Sequence, residues 1–259
     1  MLKRTIKGIL QMVLPANAYL DFLIWKRGFS EPELRLIPYL CAKSKITVDV
    51  GASDGLFLAP ARRYSKHCYA FEPRSNAKKD LDFMFRQCAN VTIEEFALSN
   101  YNGEATLQIL NSDEWRSTIE KENDLNSQGT IRFVTVPVIK LDDYQFQDEV
   151  GFIKIDVEGH EENVLKGSMN IIKKSNPNIL VEIEERHNIG SFSRVQFLLQ
   201  EEGYKGFAFR EQKLIPIEGI AINDLQNKLL LGTPNYINNF IFIHKQRVEN
   251  SAPLFKLYA

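Results

Sequence analysis

The sequence predicts an α/β fold, a mainly parallel sheet covered on both faces by helices. Three observations carry it. From Lys45 onward, short β-branched or aromatic runs alternate with longer segments of helical periodicity, the pattern of strands joined by crossover helices. The run Ile46-Thr47-Val48-Asp49-Val50 leads into a turn holding Gly51 and Gly55, and apolar helical spacing begins at Leu56. The predicted strands end in acids: Asp49, Glu72, Glu95, Asp156, and Glu182 or Glu184. Ligands of open α/β sheets bind outside the carboxyl ends of the strands, where strand order reverses. Those acids should therefore surround one crevice.

The elements follow in order. Residues 1–44 read as a helical N-terminal extension and 45–259 as the α/β domain. Leu2, Ile6, Ile9, Leu10 and Val13 share one helical face, with Lys3, Arg4 and Lys7 off it. Such a helix packs on the domain or on a second copy in a homodimer, or rests weakly on an anionic membrane surface. Gln11 and Pro15 leave the apolar run too short to span a bilayer. Strands are expected at 46–50, 67–71 and 91–95, with helices at 55–65 and 75–88. Residues 104–110 and 131–138 alternate like edge strands. The polar stretch 111–129 between them reads as an excursion that carries substrate contacts. Then come a strand at 152–157, a helix at 161–174, a strand at 178–183, a helix at 192–202, and strands at 206–210 and 239–244.

Composition narrows the function classes. The chain has 259 residues, 44% hydrophobic and 25% charged, ordinary for a globular protein with a sizeable core. A net charge of −1 gives no reason to expect nucleic acid. Cys41, Cys68 and Cys88 lack C-x-x-C spacing. They read as reduced thiols in a cytoplasmic protein, not a disulfide framework or a zinc site.

The glycine turn discriminates between ligands. Its G-x-x-x-G spacing lacks the middle glycine of a dinucleotide fingerprint, and the absence of a Walker lysine excludes a P-loop. An acid-first turn suits a ligand with a cationic amino-acid part, such as S-adenosylmethionine. Asp49 would face its ammonium, with Gly51, Ala52, Ser53 and Gly55 beneath the methionine part. Glu72, held extended by Pro73, would accept the ribose diol, and Phe96 and Ala97 would lie along the adenine. Each has a plainer reading: a βα turn, a capping acid, a surface acid, core residues. Asp156 and Glu158 would orient an acceptor hydroxyl, or merely cap the next helix. His160 would serve as general base, or sit exposed in a first turn. Ser117 and Thr118 would touch cofactor or acceptor, or be ordinary loop residues. A ring of carboxylates is costly without a positive charge inside it. A sulfonium ligand would supply one, as would Mg²⁺ held by Asp156 and Glu182.

Phe152-Ile153-Lys154-Ile155-Asp156-Val157-Glu158-Gly159-His160-Glu161, running on to Leu165-Lys166-Gly167, resembles the I-K-I-D-x-E-G-x-E…L-x-G signature of the FkbM family of S-adenosylmethionine-dependent methyltransferases. Other motifs agree in order. Asp49 to Gly55 resembles D-V-G-A-x-x-G, and Phe71-Glu72-Pro73 resembles F-E-P. Ala97-Leu98-Ser99 with Gly103 to Leu107 resembles A-L-S…G-x-x-x-L, and Val136-Pro137-Val138 with Leu141-Asp142-Asp143 resembles V-P-V…L-D-D. The resemblance runs from about Lys45 to about Glu184. It implies a class I methyltransferase (Rossmann-like) fold with a seven-stranded, mostly parallel sheet and one antiparallel strand near the edge. It also implies O-methylation of a hydroxyl on a sugar, polysaccharide or secondary metabolite, so the partner is a small-molecule or glycan acceptor. One departure stands out: where relatives often read E-I-H, this chain has Glu182-Ile183-Glu184-Glu185-Arg186-His187, with the histidine displaced. Two rival readings are a non-catalytic cofactor-binding or scaffold protein and a nicotinamide-dependent oxidoreductase.

Overall fold

Val, Ile and Phe residues in short runs build the centre of the sheet. Strand β1 (Ile46–Val50) and β8 (Val150–Ile155) are buried along their whole length and pair in parallel, Asp49 opposite Lys154 and Val50 opposite Ile155. Such doubly covered strands need apolar residues on both faces. The computed structural model describes residues 31–120 and 129–248 together with Asp21 and Asn123. The proposed amphipathic helix at Leu2 to Val13 lies outside the described residues.

The main sheet has eight strands in the order β11-β10-β12-β9-β8-β1-β2-β3. Besides β1 and β8 these are β2 (His67–Phe71), β3 (Val91–Glu94), β9 (Asn178–Glu182), β10 (Tyr204–Arg210), β11 (Lys213–Pro216) and β12 (Asn239–His244). The five strands β3, β2, β1, β8 and β9 pair in parallel. β12 runs antiparallel to both its neighbours, and β11 antiparallel to β10. The expected seven strands with one antiparallel member are thus corrected to eight in a mixed sheet. The additional strand returns from β10 through Glu211 and Gln212, both left-handed at φ 52° and 61°. That geometry suits a two-residue hairpin, but Glu-Gln carries none of the usual turn signal.

Side chains alternate between two cores. Ile46, Val48, Val50, Ile153 and Ile155 face one side, packed against helices α4 (Glu161–Lys166), α5 (Met169–Ser175) and α6 (Ser191–Glu201) through Val164, Leu165, Ile172, Val195 and Leu199. Phe152, Cys68 and Ala70 face the other, covered by α1 (Ile37–Leu40), α2 (Leu58–Ala61) and α3 (Ser75–Phe85). Leu34, Leu36, Ile37 and Leu40 belong to this core, and Asn178 Nδ2 donates to the Leu40 carbonyl at 2.9 Å. Residues 31–40, expected in the extension, are thus part of the fold.

The helix expected over 161–174 breaks at Gly167. A Cβ there would stand 1.9 Å from the Ser99 carbonyl oxygen, so the chain turns in contact with another backbone. Asp142 then caps α5, its carboxylate accepting from the amides of Asn170 at 3.0 Å and Ile171 at 2.9 Å. The stretch beyond Glu95 forms a second sheet of four strands in the order β4-β7-β5-β6: β4 (Ala97–Leu98), β5 (Gly103–Leu110), β6 (Asp113–Thr118) and β7 (Ile131–Ile139). The polar insert is therefore part strand. Leu107, Ile109, Val136 and Val138 with Ala97 give this sheet its own small core.

Candidate functional site

Strand order reverses between β1 and β8, and the carboxyl ends of these strands open into two adjoining cavities that share Gly51, Ser53, Asp156 and Glu182 in their walls. The first runs under the second sheet. Its walls include Glu72, Pro73, Phe96, Ala97, Leu107, Ser117, Thr118 and Glu158. The second is narrower and acidic, lined by Asp49, Ala52, Asp54, Lys154 and others. Gly55 takes no part in either lining; a Cβ there would press into the Phe85 ring at 2.7 Å.

Gly51 lets the two strand ends meet. Its φ is +76°, and a Cβ would overlap the Asp156 carbonyl oxygen at 1.9 Å. The turn is held by Gly51 and Ala52 donating to the Phe71 carbonyl. Two residues without the freedom of glycine also take left-handed backbones here, Ser53 at φ 50° and Glu158 at φ 53°. Strain of this kind gathers at functional sites. Glu158 is pinned there because its carbonyl accepts from Thr118 Oγ1 and Asn123 Nδ2, both at 2.8 Å.

Asp49 is buried, and neither carboxylate oxygen finds a hydrogen-bond partner among the described residues. Burial pushes its carboxyl up to about 6, against the pull of Lys154. Lys154 is the positive charge within the carboxylate ring. Its Nζ donates to Asp156 Oδ2 at 2.8 Å and stands 4.9 Å from the centre of the Phe57 ring. Burial works to lower the ammonium pKa, but Asp156 and Asp49 outweigh it and hold it above its ordinary range. Burial, then the nearby Asp156, holds Glu182 well above the usual carboxylate range. The Mg²⁺ expected at Asp156 and Glu182 gains no support: among the described residues no three His, Cys, Asp or Glu side chains are grouped to hold a metal. Lys154 already supplies the compensating charge.

Glu72 is the reverse of Asp49. Its carboxylate accepts from the Ser53 amide at 2.9 Å and from the Arg74 amide at 3.0 Å. It also accepts from Arg74 Nε at 2.7 Å and Nη2 at 2.9 Å. Glu95 leaves the ring and accepts from Ser75 Oγ.

His160 is buried, not exposed. Its Nε2 lies 2.9 Å from Ser99 Oγ and its Nδ1 2.9 Å from Glu120 Oε2. Burial lowers its pKa and Glu120 opposes the shift. With both nitrogens engaged, the ring ties the two sheets together. Glu161 Oε1 accepts from the Gly159 amide at 2.8 Å, and burial raises its carboxyl to about 8. The displaced His187 returns to the site's edge, Nδ1 3.0 Å from Glu158 Oε2 but not aligned as a hydrogen bond. Asn238 Nδ2 bridges Glu182 at 2.8 Å and Glu184 at 3.3 Å.

Sequence reasoning missed Lys154 and Arg74. A lysine between isoleucines in a strand buried on both faces was a legible signal of a paired charge. Arg74, two residues after a strand-end acid, carried a weaker one.

The acid-first turn, the unpartnered Asp49 and the close approach at Gly51 fit a ligand with a cationic amino-acid part. Comparison with known proteins agrees on the fold. A family model described as Methyltransferase FkbM domain matches residues 49–205. The crystal structure of a methyltransferase FkbM from Methylobacillus flagellatus KT superposes with a TM-score of 0.53 at 14% identity, over 92% of this chain and 58% of that one. This chain thus spans little more than half of that structure. An rRNA methylase from Streptococcus thermophilus (TM-score 0.43, 9% identity, 83% and 94% covered) and M. jannaschii TYW2 in complex with AdoMet (0.39, 12%, 82% and 75%) are more distant. No curated protein matches the sequence. Among the described residues no helix is long and apolar enough to cross a membrane.

Proposed function

The chain belongs to the FkbM methyltransferase family, and on that premise we propose that it transfers a methyl group from S-adenosylmethionine to a hydroxyl of a sugar, polysaccharide or secondary metabolite. When bound, the cofactor supplies a methyl group already activated on a sulfonium. The single observation that carries the cofactor reading is Asp49: a carboxylate this buried with no partner among the described residues is costly, and an ammonium from the ligand would relieve that cost. Gly51, Ala52 and Ser53 would floor the methionine part, and Phe96, Ala97 and Leu107 would wall the adenosine.

Asp156 sits where the cavities join and is steered by Lys154. It would orient the acceptor hydroxyl for in-line attack, with positioning supplying much of the rate. Glu158, Ser117 and Thr118 would line the acceptor's approach. His160, held on both nitrogens, would act by fixing the turn that presents Glu158.

Calorimetric titration with S-adenosylhomocysteine, with and without Mg²⁺, tests the cofactor. Micromolar binding unchanged by Mg²⁺ is expected; absence of binding would favour the non-catalytic scaffold reading. A screen of sugar and metabolite acceptors with labelled cofactor then tests the reaction. Asp156→Asn should lose turnover on any acceptor found while keeping S-adenosylhomocysteine affinity.

A further inference from the structure

We propose that Arg74 is a built-in competitor for the cofactor ribose: its guanidinium holds the seat on Glu72 that the ribose diol needs, and yields it on binding. The proposal rests on the reading that these cavities take S-adenosylmethionine. A carboxylate offers about four lone-pair positions. On Glu72 all four are filled: Oε1 by the Arg74 amide and Nε, Oε2 by the Ser53 amide and Arg74 Nη2. The two backbone donors are fixed by the chain itself, Ser53 in the glycine turn and Arg74 at the start of α3, and cannot leave without unfolding it. The two guanidinium donors form a bidentate fork, the strongest side-chain arrangement for a carboxylate. A neutral diol adds no charge, so it gains Glu72 only by displacing that fork.

The arginine has somewhere to go. Its Nη2 is 3.2 Å from Ser53 Oγ, and its Nη1 donates to the Glu114 carbonyl on β6. Those partners lie on the floor turn and on the second sheet, one on each side of the cavity. Ribose entry therefore shifts a side chain that holds β6, the strand that also carries Ser117 and Thr118 into the same cavity. Arg74 links the cofactor seat to the wall along which the acceptor approaches.

An arginine that contacted the cofactor directly would have the opposite signature, since its loss would weaken binding. Titration of S-adenosylhomocysteine into the full chain and into Arg74→Ala and Arg74→Lys separates the two. Competition requires Arg74→Ala to bind about tenfold tighter than the parent chain, with Arg74→Lys between them because an ammonium lacks the fork. The 2′-deoxy analogue of the ligand, which has no diol, should bind parent and Arg74→Ala within about threefold of each other. Where Arg74→Ala melts too low to titrate, Arg74→Lys against the parent carries the same sign. Equal or weaker binding by both variants, with the parent binding normally, overturns the competitor role and leaves the cofactor reading intact. No binding by the parent or by either variant overturns both.

Discussion

Asp49 and Glu72 stand at the ends of adjacent parallel strands, 2% and 1% exposed, yet they are in opposite states. Asp49 has no partner for either oxygen among the described residues. Glu72 has every position filled, half of them by a side chain two residues away. Burial alone therefore says nothing about whether an acid is available to a ligand. The neighbours decide it: Lys154, opposite Asp49, spends its hydrogen bond on Asp156, whereas Arg74 spends its fork on Glu72. On the proposed reading, one acid is left open to the ligand's cation and the other must be won from its own chain.

Gly51→Val attacks the turn that brings the strand ends together and should have the largest effect. A β-branched residue at φ +76° with its Cβ inside the Asp156 carbonyl should cost about 4–6 kcal/mol in urea unfolding; near-parental stability would mean the close approach is not obligatory. Lys154→Met comes next. It leaves Asp49, Asp156 and Glu182 without their buried cation, a loss of about 3–5 kcal/mol. Asp49 and Glu182 already hold raised carboxyls, so their protonation should restore part of the loss as pH falls toward 5. A deficit that is flat with pH would break the idea that Lys154 offsets these acids.

Asp49→Asn sharpens the contrast most, with the smallest effect. Its folded carboxyl is raised from 3.8 to about 6. The stability linked to its neutral form is therefore full below pH 4 and lost as pH rises through 6. An asparagine cannot ionise, so the variant should match the parent at pH 4 and exceed it at pH 8 by on the order of 2–3 kcal/mol. S-adenosylhomocysteine affinity should fall about 10- to 100-fold. Higher stability with weaker binding is the mark of a group kept for a ligand; a loss of both would assign Asp49 to the fold.

Much of this was legible in the chain itself. β-branched runs placed β1, β8 and β9, an apolar, aromatic run placed β2, and the glycine spacing placed the turn and hence the crevice. What escaped has specific causes. β6 is polar, Asp113 to Thr118, and exists because it pairs with β5, a partnership without a local periodic signature. β11 hangs on a hairpin whose Glu-Gln turn breaks the glycine–asparagine rule. The helix after β8 breaks where Gly167 meets Ser99, a contact 68 residues apart in sequence. His160 was visible as a residue type, but its two partners come from β4's end and the insert.

Because Lys154 is 3% exposed, dissolved ions cannot crowd around it. Screening over a Debye length of about 8 Å at physiological ionic strength weakens surface pairs such as Lys78 with Asp82. The Lys154–Asp156 pair beneath the glycine turn, 4% and 29% exposed at the side chains, is screened much less, so this part of the site keeps more of its field than the surface does as salt rises.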